Sequence, residues 1–527
     1  MALIHLFFSP WALALLPLSL VLYYAVPYFT TFGHLRSIPA PFPAAWSNLW
    51  LLYTCRRGRR YLSVDEIHKK LGPVVRIQPN HVSIADDEAI SVIYGHGNGF
   101  LKSRLTIFPV RSTMHSSPSA AVSSTRGTVQ NTRGRGRSYR TRLPPKSVVQ
   151  FEPYIHQNLE TFVKKWDEIA SKAPQSDGYA QVDCLEWFNY VAFDTIGDLA
   201  FGAPFGMLEA GADIAEVRMQ LDKPSIYAPA VQILNRRGEV SATLGTLPEL
   251  KPYASWLPDP FFTQGMTAVE NLAGIAIARV KNRLENPPDV QRTDLLGRLQ
   301  EARDEKGEPL GFEELTAEAL TQLIAGSDTT SNSSCALLYH VARTPGVLPK
   351  LQAELDAAIP EGTAAPTFDA VKNLPYLEAV INETLRHHST SGIGLPREVP
   401  PGSPGSPGVD LCGHHFQPGT VLSVPTYTIH HSREIWGPDA DEFRPERWLE
   451  ANGGGITPRQ RNAFIPFSHG PRACVGRNVA EMEMKMICAT WARRYDVVLR
   501  QGVMETREGF LRKPLGLEIG LKKRASS

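Results

Sequence analysis

The part of this sequence that decides the fold is residues 467–476, which read FSHGPRACVG. Cys474 lies in a loop rich in glycine and proline, directly before a helix predicted over Arg477–Arg494. The dipole and free N–H groups at a helix N-terminus favour negative charge, so a cysteine placed there is a good thiolate. A thiolate inside a loop of hydrogen-bond donors is a suitable electron-donating ligand for haem iron. The stretch therefore predicts a thiolate-ligated haem site.

The neighbours of this cysteine suit the same role. Gly470 and Gly476 would let the backbone approach the porphyrin, Arg472 can pair with a haem propionate, and Phe467 can shield the sulfur from water. The alternative is a buried structural cysteine in a glycine-rich turn. However, the pattern F-x-x-G-x-R-x-C-x-G is the signature of the cytochrome P-450 superfamily, and all its fixed positions are present. The chain thus resembles the haem-thiolate monooxygenases.

A second motif, AGSDTT, begins at Ala325 within a helix predicted over residues 313–343. The small Ala325 and Gly326 would let a flat cofactor lie against the helix, and Thr329 follows Ala325 by one turn. Cleavage of O₂ requires two protons; Asp328 can relay them from solvent while the Thr329 hydroxyl holds a water. A helix packed through its small residues is the alternative. The motif resembles the superfamily's oxygen-activating helix.

A third motif combines a charged helix with a later arginine. Glu383 and Arg386 lie at i,i+3 spacing in a helix predicted over residues 376–387, so they can pair. Arg447, in FRPERW, matches the superfamily arginine that completes a buried three-way ion cluster, which implies a role in stabilising the fold. Arg397 matches the arginine that pairs with a haem propionate, and a solvated surface arginine is the alternative.

The resemblance extends beyond these motifs to nearly the whole chain. Residues 76–83 (RIQPNHVS), 429–432 (IHHS), 436–443 (WGPDADEF) and 509–516 (GFLRKPLG) look like the benzoate 4-monooxygenases of filamentous fungi. This resemblance implies a mainly α fold with a minor β part and haem b as cofactor. It also implies conversion of benzoate to 4-hydroxybenzoate with O₂. Electrons would come from NADPH-cytochrome P-450 reductase, since the chain has no flavin or nicotinamide motif. Hydroxylation of another small aromatic compound or phenylpropanoid stays open.

A carboxylate substrate must lose its water on entering the site, which requires hydrogen bonds or a cation in return. The loop after the third motif carries three hydroxyl groups, on Ser389, Thr390 and Ser391, where this superfamily lines its pocket. We therefore predict that these residues contact the substrate, and a plain turn is the alternative.

The N-terminus predicts a membrane anchor. Residues 1–35 contain no Lys, Arg, Asp or Glu, and residues 6–29 are almost wholly apolar, long enough for a single tilted span. A cleavable signal peptide is the alternative, but a basic n-region is missing. The basic residues that follow predict that the catalytic domain is cytosolic, with the anchor in the endoplasmic reticulum membrane; they are Arg36, Arg56, Arg57, Arg59 and Arg60.

Composition and pattern indicate one large catalytic domain. After a proline-rich hinge at residues 36–47, no linker divides residues 48–527. The spacing of the six cysteines does not indicate a disulfide framework, which is typical of a protein in a reducing compartment. A β-hairpin is predicted over residues 74–85. Helices are predicted over residues 88–94, 148–172, 185–201 and 266–285.

One segment, residues 103–146, interrupts the resemblance. It holds nine Lys or Arg and no acidic residue; without it Lys plus Arg falls from 55 to 46 against 53 acids, a net charge of −7 instead of +2. Such a tract could bind nucleic acid or an acidic redox partner. We prefer a frameshift and predict no nucleic-acid partner, because suitable codons for a family-like TRDRAEHTRKRK, read one nucleotide out of register, give RGTVQNTRGRGR, the sequence of residues 126–137. A haem-poor, inactive protein is then a further alternative.

Overall fold

Long helices form most of the fold, and the short strands are distributed along the chain between them. The computed structural model describes residues 10–103, 145–174, 177–220, 223–287, 292, 294–303, 307–401, 407–449 and 455–525. Most of the atypical segment, residues 104–144, and the first nine residues of the predicted anchor lie outside this part. Among the described residues, no helix combines the length and the apolar character needed to cross a membrane.

The helices are α1 (Pro10–Phe29), α2 (Leu49–Arg56), α3 (Arg60–Leu71), α4 (Glu88–Tyr94), α5 (Pro145–Val148), α6 (Glu152–Ala170), α7 (Cys184–Phe201), α8 (Met207–Ala210), α9 (Ala230–Leu244), α10 (Pro260–Glu285), α11 (Leu295–Glu301), α12 (Phe312–Arg343), α13 (Val347–Ala358), α14 (Phe368–Val371), α15 (Pro375–His387), α16 (Thr426–His430), α17 (Arg433–Trp436), α18 (Pro458–Ala463) and α19 (Arg477–Arg494). The predicted class, mainly α with a minor β part, is confirmed.

The strands are β1 (Val74–Gln78), β2 (His81–Ile84), β3 (Leu101–Lys102), β4 (Ala180–Asp183), β5 (Ala215–Val217), β6 (Ile226–Ala228), β7 (Arg397–Glu398), β8 (Val409–Leu411), β9 (His414–Phe416), β10 (Val421–Ser423), β11 (Tyr495–Leu499), β12 (Thr506–Glu508), β13 (Arg512–Pro514) and β14 (Glu518–Lys523). The largest sheet has the order β1-β2-β10-β7-β3, in which β10 pairs parallel with β2. A second sheet has the order β11-β14-β4, and three hairpins complete the set.

Two helices begin elsewhere than the periodicity predicts, and a capping residue explains the first of them. The carboxylate of Asp259 accepts a hydrogen bond from the Phe261 N–H, and Pro260 follows it, so α10 begins six residues before Met266. The helix predicted from residue 148 is interrupted by a 3₁₀ turn, and α6 begins at Glu152 with a proline in its first turn.

The 32-residue α12 lies at the centre of the main core. It packs against α7, α10, α15 and α19, and its C-terminal half is buried nearly all round. A helix buried on every face belongs to the interior of a large domain. This position brings the AGSDTT motif next to α19, the helix that follows Cys474.

Candidate functional site

A cavity of about 520 Å³ is lined by residues from two of the motifs, the AGSDTT helix and the cysteine loop. Ala325, Gly326 and Thr329 of α12 line it, and so do Cys474 and Gly476. Other parts of the lining come from Phe467 and Arg472 of the cysteine loop. Residues about 150 positions apart in sequence therefore line one cavity.

The cysteine loop holds its sulfur at the cavity wall. The Cys474 N–H donates a 2.9 Å hydrogen bond to the Phe467 carbonyl, and Ser468 adopts a positive φ of 61° in the turn between them. Cys474 is exposed on the cavity side. Burial raises the pKa of its thiol, while the Gly476 N–H and the charge of Arg477 act in the opposite direction. The thiolate predicted from the helix N-terminus thus needs a further positive charge, such as a metal ion.

Glycines in both motifs allow close packing of the protein chain, in addition to leaving room for a flat cofactor. A Cβ on Gly470 would lie 1.9 Å from the carbonyl oxygen of Tyr94, so this glycine lets the loop pack against the end of α4. A Cβ on Gly326 would lie 2.7 Å from Ile196, which explains the close approach of α7. Gly476 differs, because its Cβ would have an ordinary 4.0 Å contact with the cysteine sulfur.

Cations collect beside the cysteine loop. Arg397 is 3% exposed and donates from Nη1 to the Pro396 carbonyl at 3.1 Å. Burial lowers the pKa of Arg397, Tyr94 opposes this, and the charge of Arg472 lowers it further. Desolvation, then Arg472 and Arg397, lower the pKa of Lys102. Like charges held this close favour an anionic ligand. A flat cofactor that carries two carboxylates fits this set of residues.

Thr329 and Asp328 occupy different environments. The Thr329 hydroxyl donates a 2.7 Å hydrogen bond to the Ala325 carbonyl and lines the cavity. Asp328 is not part of the cavity lining among the described residues. Burial raises the pKa of Asp328, and Lys513 and Arg237 act to lower it. The acid on α12 therefore faces buried Lys513 and partly buried Arg237, two cations on other elements.

The third motif forms one buried ion cluster. Arg386 donates from Nε and Nη2 to the two carboxylate oxygens of Glu383, both at 2.9 Å, and Arg447 Nε donates to Glu383 Oε1 at 2.9 Å. Trp448 Nε1 donates to Glu383 Oε2 at 2.9 Å. Burial alone would raise the pKa of Glu383, but hydrogen bonds from His387 and Arg386 hold it well below its usual range. The cluster joins α15 to the 3₁₀ turn Pro445–Trp448.

The three hydroxyl residues of the loop after α15, Ser389, Thr390 and Ser391 (the hydroxyl loop), do not all face the cavity. Thr390 and Ser391 line the cavity. Ser389 is 3% exposed and donates from its hydroxyl to the Ser391 carbonyl at 3.5 Å, so it serves the loop itself. Two of the three predicted hydroxyl residues are thus available to a ligand in the cavity.

Two ionisable residues of the lining were missed by sequence reasoning. Glu483 on α19 and Arg60 at the start of α3 both line the cavity. Glu483 is 5% exposed and accepts a hydrogen bond from Thr330. Arg60 stands in a basic run after the predicted anchor, where nothing in the sequence separates it from its exposed neighbours.

Comparisons with known proteins agree with this geometry. The cytochrome P450 family model matches residues 38–521. Benzoate 4-monooxygenase bphA of Aspergillus niger is 57% identical over 525 residues, covering 98% of each chain. Cytochrome P450 monooxygenase tazI of Aspergillus terreus is 30% identical, covering 94% of this chain and 93% of its own. Cytochrome P450 monooxygenase gsfF of Penicillium aethiopicum is 28% identical over 516 residues. The chain therefore belongs to the cytochrome P450 family.

Proposed function

We propose that this protein is a benzoate 4-monooxygenase that hydroxylates benzoate to 4-hydroxybenzoate. The observation that carries the proposal is the 57% identity, over 98% of both chains, to a relative with that name. The cavity adds support, because it combines a cysteine, a threonine on α12 and hydroxyl groups suited to a small polar ligand. Membership of the cytochrome P450 family implies a thiolate-ligated haem iron, O₂, an aromatic substrate and a redox-partner reductase.

We assign the haem contacts from the described residues. Cys474 would bind the iron of haem b, and Arg472 in the lining, with Arg397 close to it, would pair with the propionates. Haem iron with its thiolate, when bound, supplies the activation of O₂ and the insertion of one oxygen atom into a C–H bond. The protein supplies binding, orientation and protons. Ala325 and Gly326 leave room on the α12 side of the cavity.

Proton delivery is the proposed task of α12. Hydroxylation consumes one O₂, two electrons and two protons, and it releases one water for each hydroxyl group formed. The Thr329 hydroxyl can hold a water in the cavity, and Asp328 can pass protons to it from the side of Lys513 and Arg237. Because burial raises the pKa of Asp328, this carboxyl holds a proton more readily than an exposed aspartate does.

The proposed location is the endoplasmic reticulum membrane, with residues 1–35 as a single-pass anchor and the catalytic domain in the cytosol. The uncharged, apolar sequence of that segment and the arginines after it support this proposal. Carbonate extraction of full-length protein and of a variant lacking residues 1–35 tests it. The anchor should keep only the full-length chain in the membrane pellet.

Turnover tests the main proposal. Haem-loaded protein, NADPH, O₂ and a P450 reductase should convert benzoate to 4-hydroxybenzoate, measured by chromatography against the 2- and 3-hydroxy isomers. Absence of the 4-hydroxy product in protein with a normal carbon monoxide difference spectrum would contradict the proposal. Phenylpropanoid acids and other small aromatics in the same assay measure the alternative substrates.

A further inference from the structure

We propose that Arg60 binds the carboxylate of the aromatic-acid substrate, together with the hydroxyl groups of Thr390 and Ser391. This inference rests on the proposed function, since it names the residues that would recognise an acid in that cavity. All three residues line the cavity that Cys474 and Thr329 also line. Within the described part of the lining the arginines are Arg60 and Arg472, and Arg472 lies on the cysteine loop. Arg60 is therefore the arginine of the described lining that lies outside the cysteine loop and can bind the substrate carboxylate.

Glu508 connects Arg60 to the hydroxyl loop. Arg60 Nε lies 3.4 Å from Glu508 Oε2, and the Tyr61 N–H donates to the same oxygen at 2.9 Å. The other carboxylate oxygen would lie 3.5 Å from a Cβ placed on Gly392, the residue that follows Ser391. One carboxyl group thus contacts the start of α3 and lies beside the loop after α15. These contacts bring a guanidinium and two hydroxyl groups to one region of the cavity wall.

The guanidinium of Arg60 is only partly satisfied by its protein partners. Its contact with Glu508 is a single long one, Nη2 donates to the Gly509 carbonyl at 3.3 Å, and the Cys55 side chain is a third partner. A guanidinium has five N–H donors and binds carboxylates best through two parallel hydrogen bonds. The side chain is 11% exposed, and the cavity walls beside it include Leu51, Val64 and Ile77. An anion among apolar side chains requires such charge-assisted bonds.

Glu508 acts as a competitor for the same cation. Its side chain is 1% exposed, and among the described residues its Oε1 has no hydrogen-bond partner. Burial raises the pKa of Glu508, while Arg60, the Tyr61 N–H and Arg512 lower it; the Cys55 thiol also faces this group. A neutral Glu508 leaves Arg60 without a counter-charge. Binding of a carboxylate substrate and protonation of Glu508 therefore favour each other.

Calorimetry on haem-loaded protein tests the site with benzoate and with benzamide, a neutral molecule of the same shape. Arg60→Met should weaken benzoate binding about 10- to 100-fold, the range expected for a charge-assisted contact. Benzamide binding should stay the same. Arg56→Met is the matched control, because Arg56 forms a pair with Asp259 that is also 3.4 Å long but lies at the surface, away from the cavity lining.

Further variants separate recognition from folding. Arg60→Met leaves a buried carboxylate unpaired and could unfold the protein, whereas Arg60→Met with Glu508→Gln removes both charges. This double variant should lose benzoate affinity selectively while it keeps wild-type haem content. Glu508→Gln alone should tighten benzoate binding and leave benzamide binding unchanged, because it removes the carboxylate that competes for Arg60. A purely structural ion pair would not give this selectivity.

Three outcomes would overturn the inference. Wild-type benzoate affinity in the double variant would show that the carboxylate binds elsewhere, and the proposed function would stand. A loss of benzoate affinity in Glu508→Gln that benzamide does not share would show that Glu508 does not compete for Arg60. Failure of the wild-type protein to bind benzoate would overturn the proposed function and this site with it.

Discussion

The hydroxyl of Thr330 donates a 2.8 Å hydrogen bond to Oε2 of Glu483 and so joins α12 to α19. The two side chains are 3% and 5% exposed, and both line the cavity. Burial raises the pKa of Glu483 to about 7, and the Thr330 hydrogen bond lowers it only in part. The helix of the AGSDTT motif and the helix after Cys474 are thus tied by a carboxyl group that changes charge near neutral pH.

Ionisation of Glu483 should make the protein less stable as the pH rises. The folded state holds this proton up to about pH 7, whereas the unfolded chain releases it near 4.5. Stability is therefore lost between these values, by roughly 3 kcal/mol in total. Glu483→Gln keeps an acceptor for Thr330 without the charge. In urea unfolding from pH 5 to pH 8, the unfolding free energy of the wild type should fall relative to that of this variant. Parallel dependences of the unfolding free energy on pH would contradict the prediction.

Replacement of Cys474 should abolish the haem-thiolate spectrum. Cys474→Ala leaves the cavity without its sulfur, so the reduced carbon monoxide complex should lose the absorbance typical of thiolate ligation. Cys412→Asn is the control, because Cys412 has a φ of 50° in the β8–β9 turn, a conformation that asparagine tolerates. Retention of the thiolate spectrum by Cys474→Ala would disprove the ligand assignment.

Replacement of Thr329 should uncouple electron use from product formation. Thr329→Ala removes the hydroxyl that lines the cavity, so a larger share of NADPH should yield peroxide, with 4-hydroxybenzoate formation reduced about tenfold or more. Thr329→Ser retains the hydroxyl and should retain most of the coupling. Measurement of NADPH, peroxide and product in one assay decides the point, and equal coupling in all three proteins would refute the role.

The ion cluster of Glu383 should contribute strongly to stability. Arg447→Met leaves a buried carboxylate short of one partner and should cost about 3–5 kcal/mol in unfolding free energy. Arg444→Met is the matched control: Arg444 pairs with Asp439 at 2.7 Å but is 46% exposed, so its loss should cost less than about 1 kcal/mol. Equal effects of the two substitutions in chemical unfolding would argue against a special role for the buried pair.

Local sequence signals predicted the framework well, because the boundaries depend on neighbours in sequence. The hairpin of β1 and β2 and the helices α4, α7, α12, α15 and α19 lie within a few residues of their predicted positions. The start of α10 was missed because Asp259 and Pro260 act as a cap outside the apolar repeat. The motif around Cys474 and the AGSDTT motif together led to the prediction that Cys474 and Thr329 face one site, and both residues line the cavity.

Other parts of the site could not be predicted, because they depend on contacts between distant residues. Arg60 and Glu508 meet across 448 positions, and Thr330 and Glu483 across 153. Gly326 is required by contact with Ile196 as well as by the cavity, and no pattern in the sequence reveals that contact. The motifs indicated the chemistry of the cofactor and the hydroxyl groups of Thr390 and Ser391, whereas Arg60 could be identified only from the fold.

The atypical segment, residues 103–146, leads to the last prediction. If it is a frameshifted reading, the chain as written has lost the histidine and most of the basic residues of the family-like TRDRAEHTRKRK, which the resemblance implies would contact the propionates, and Arg472 and Arg397 are the partners predicted here. Each lost charge-assisted contact costs roughly 1.5–3 kcal/mol, so haem affinity should be low in the chain as written. Restoring the family-like reading with a compensating single-nucleotide shift should raise haem occupancy, measured by the pyridine haemochrome assay. A transcript that encodes the segment as written, in a protein with full haem content and benzoate turnover, would refute the frameshift and the weakened haem binding together.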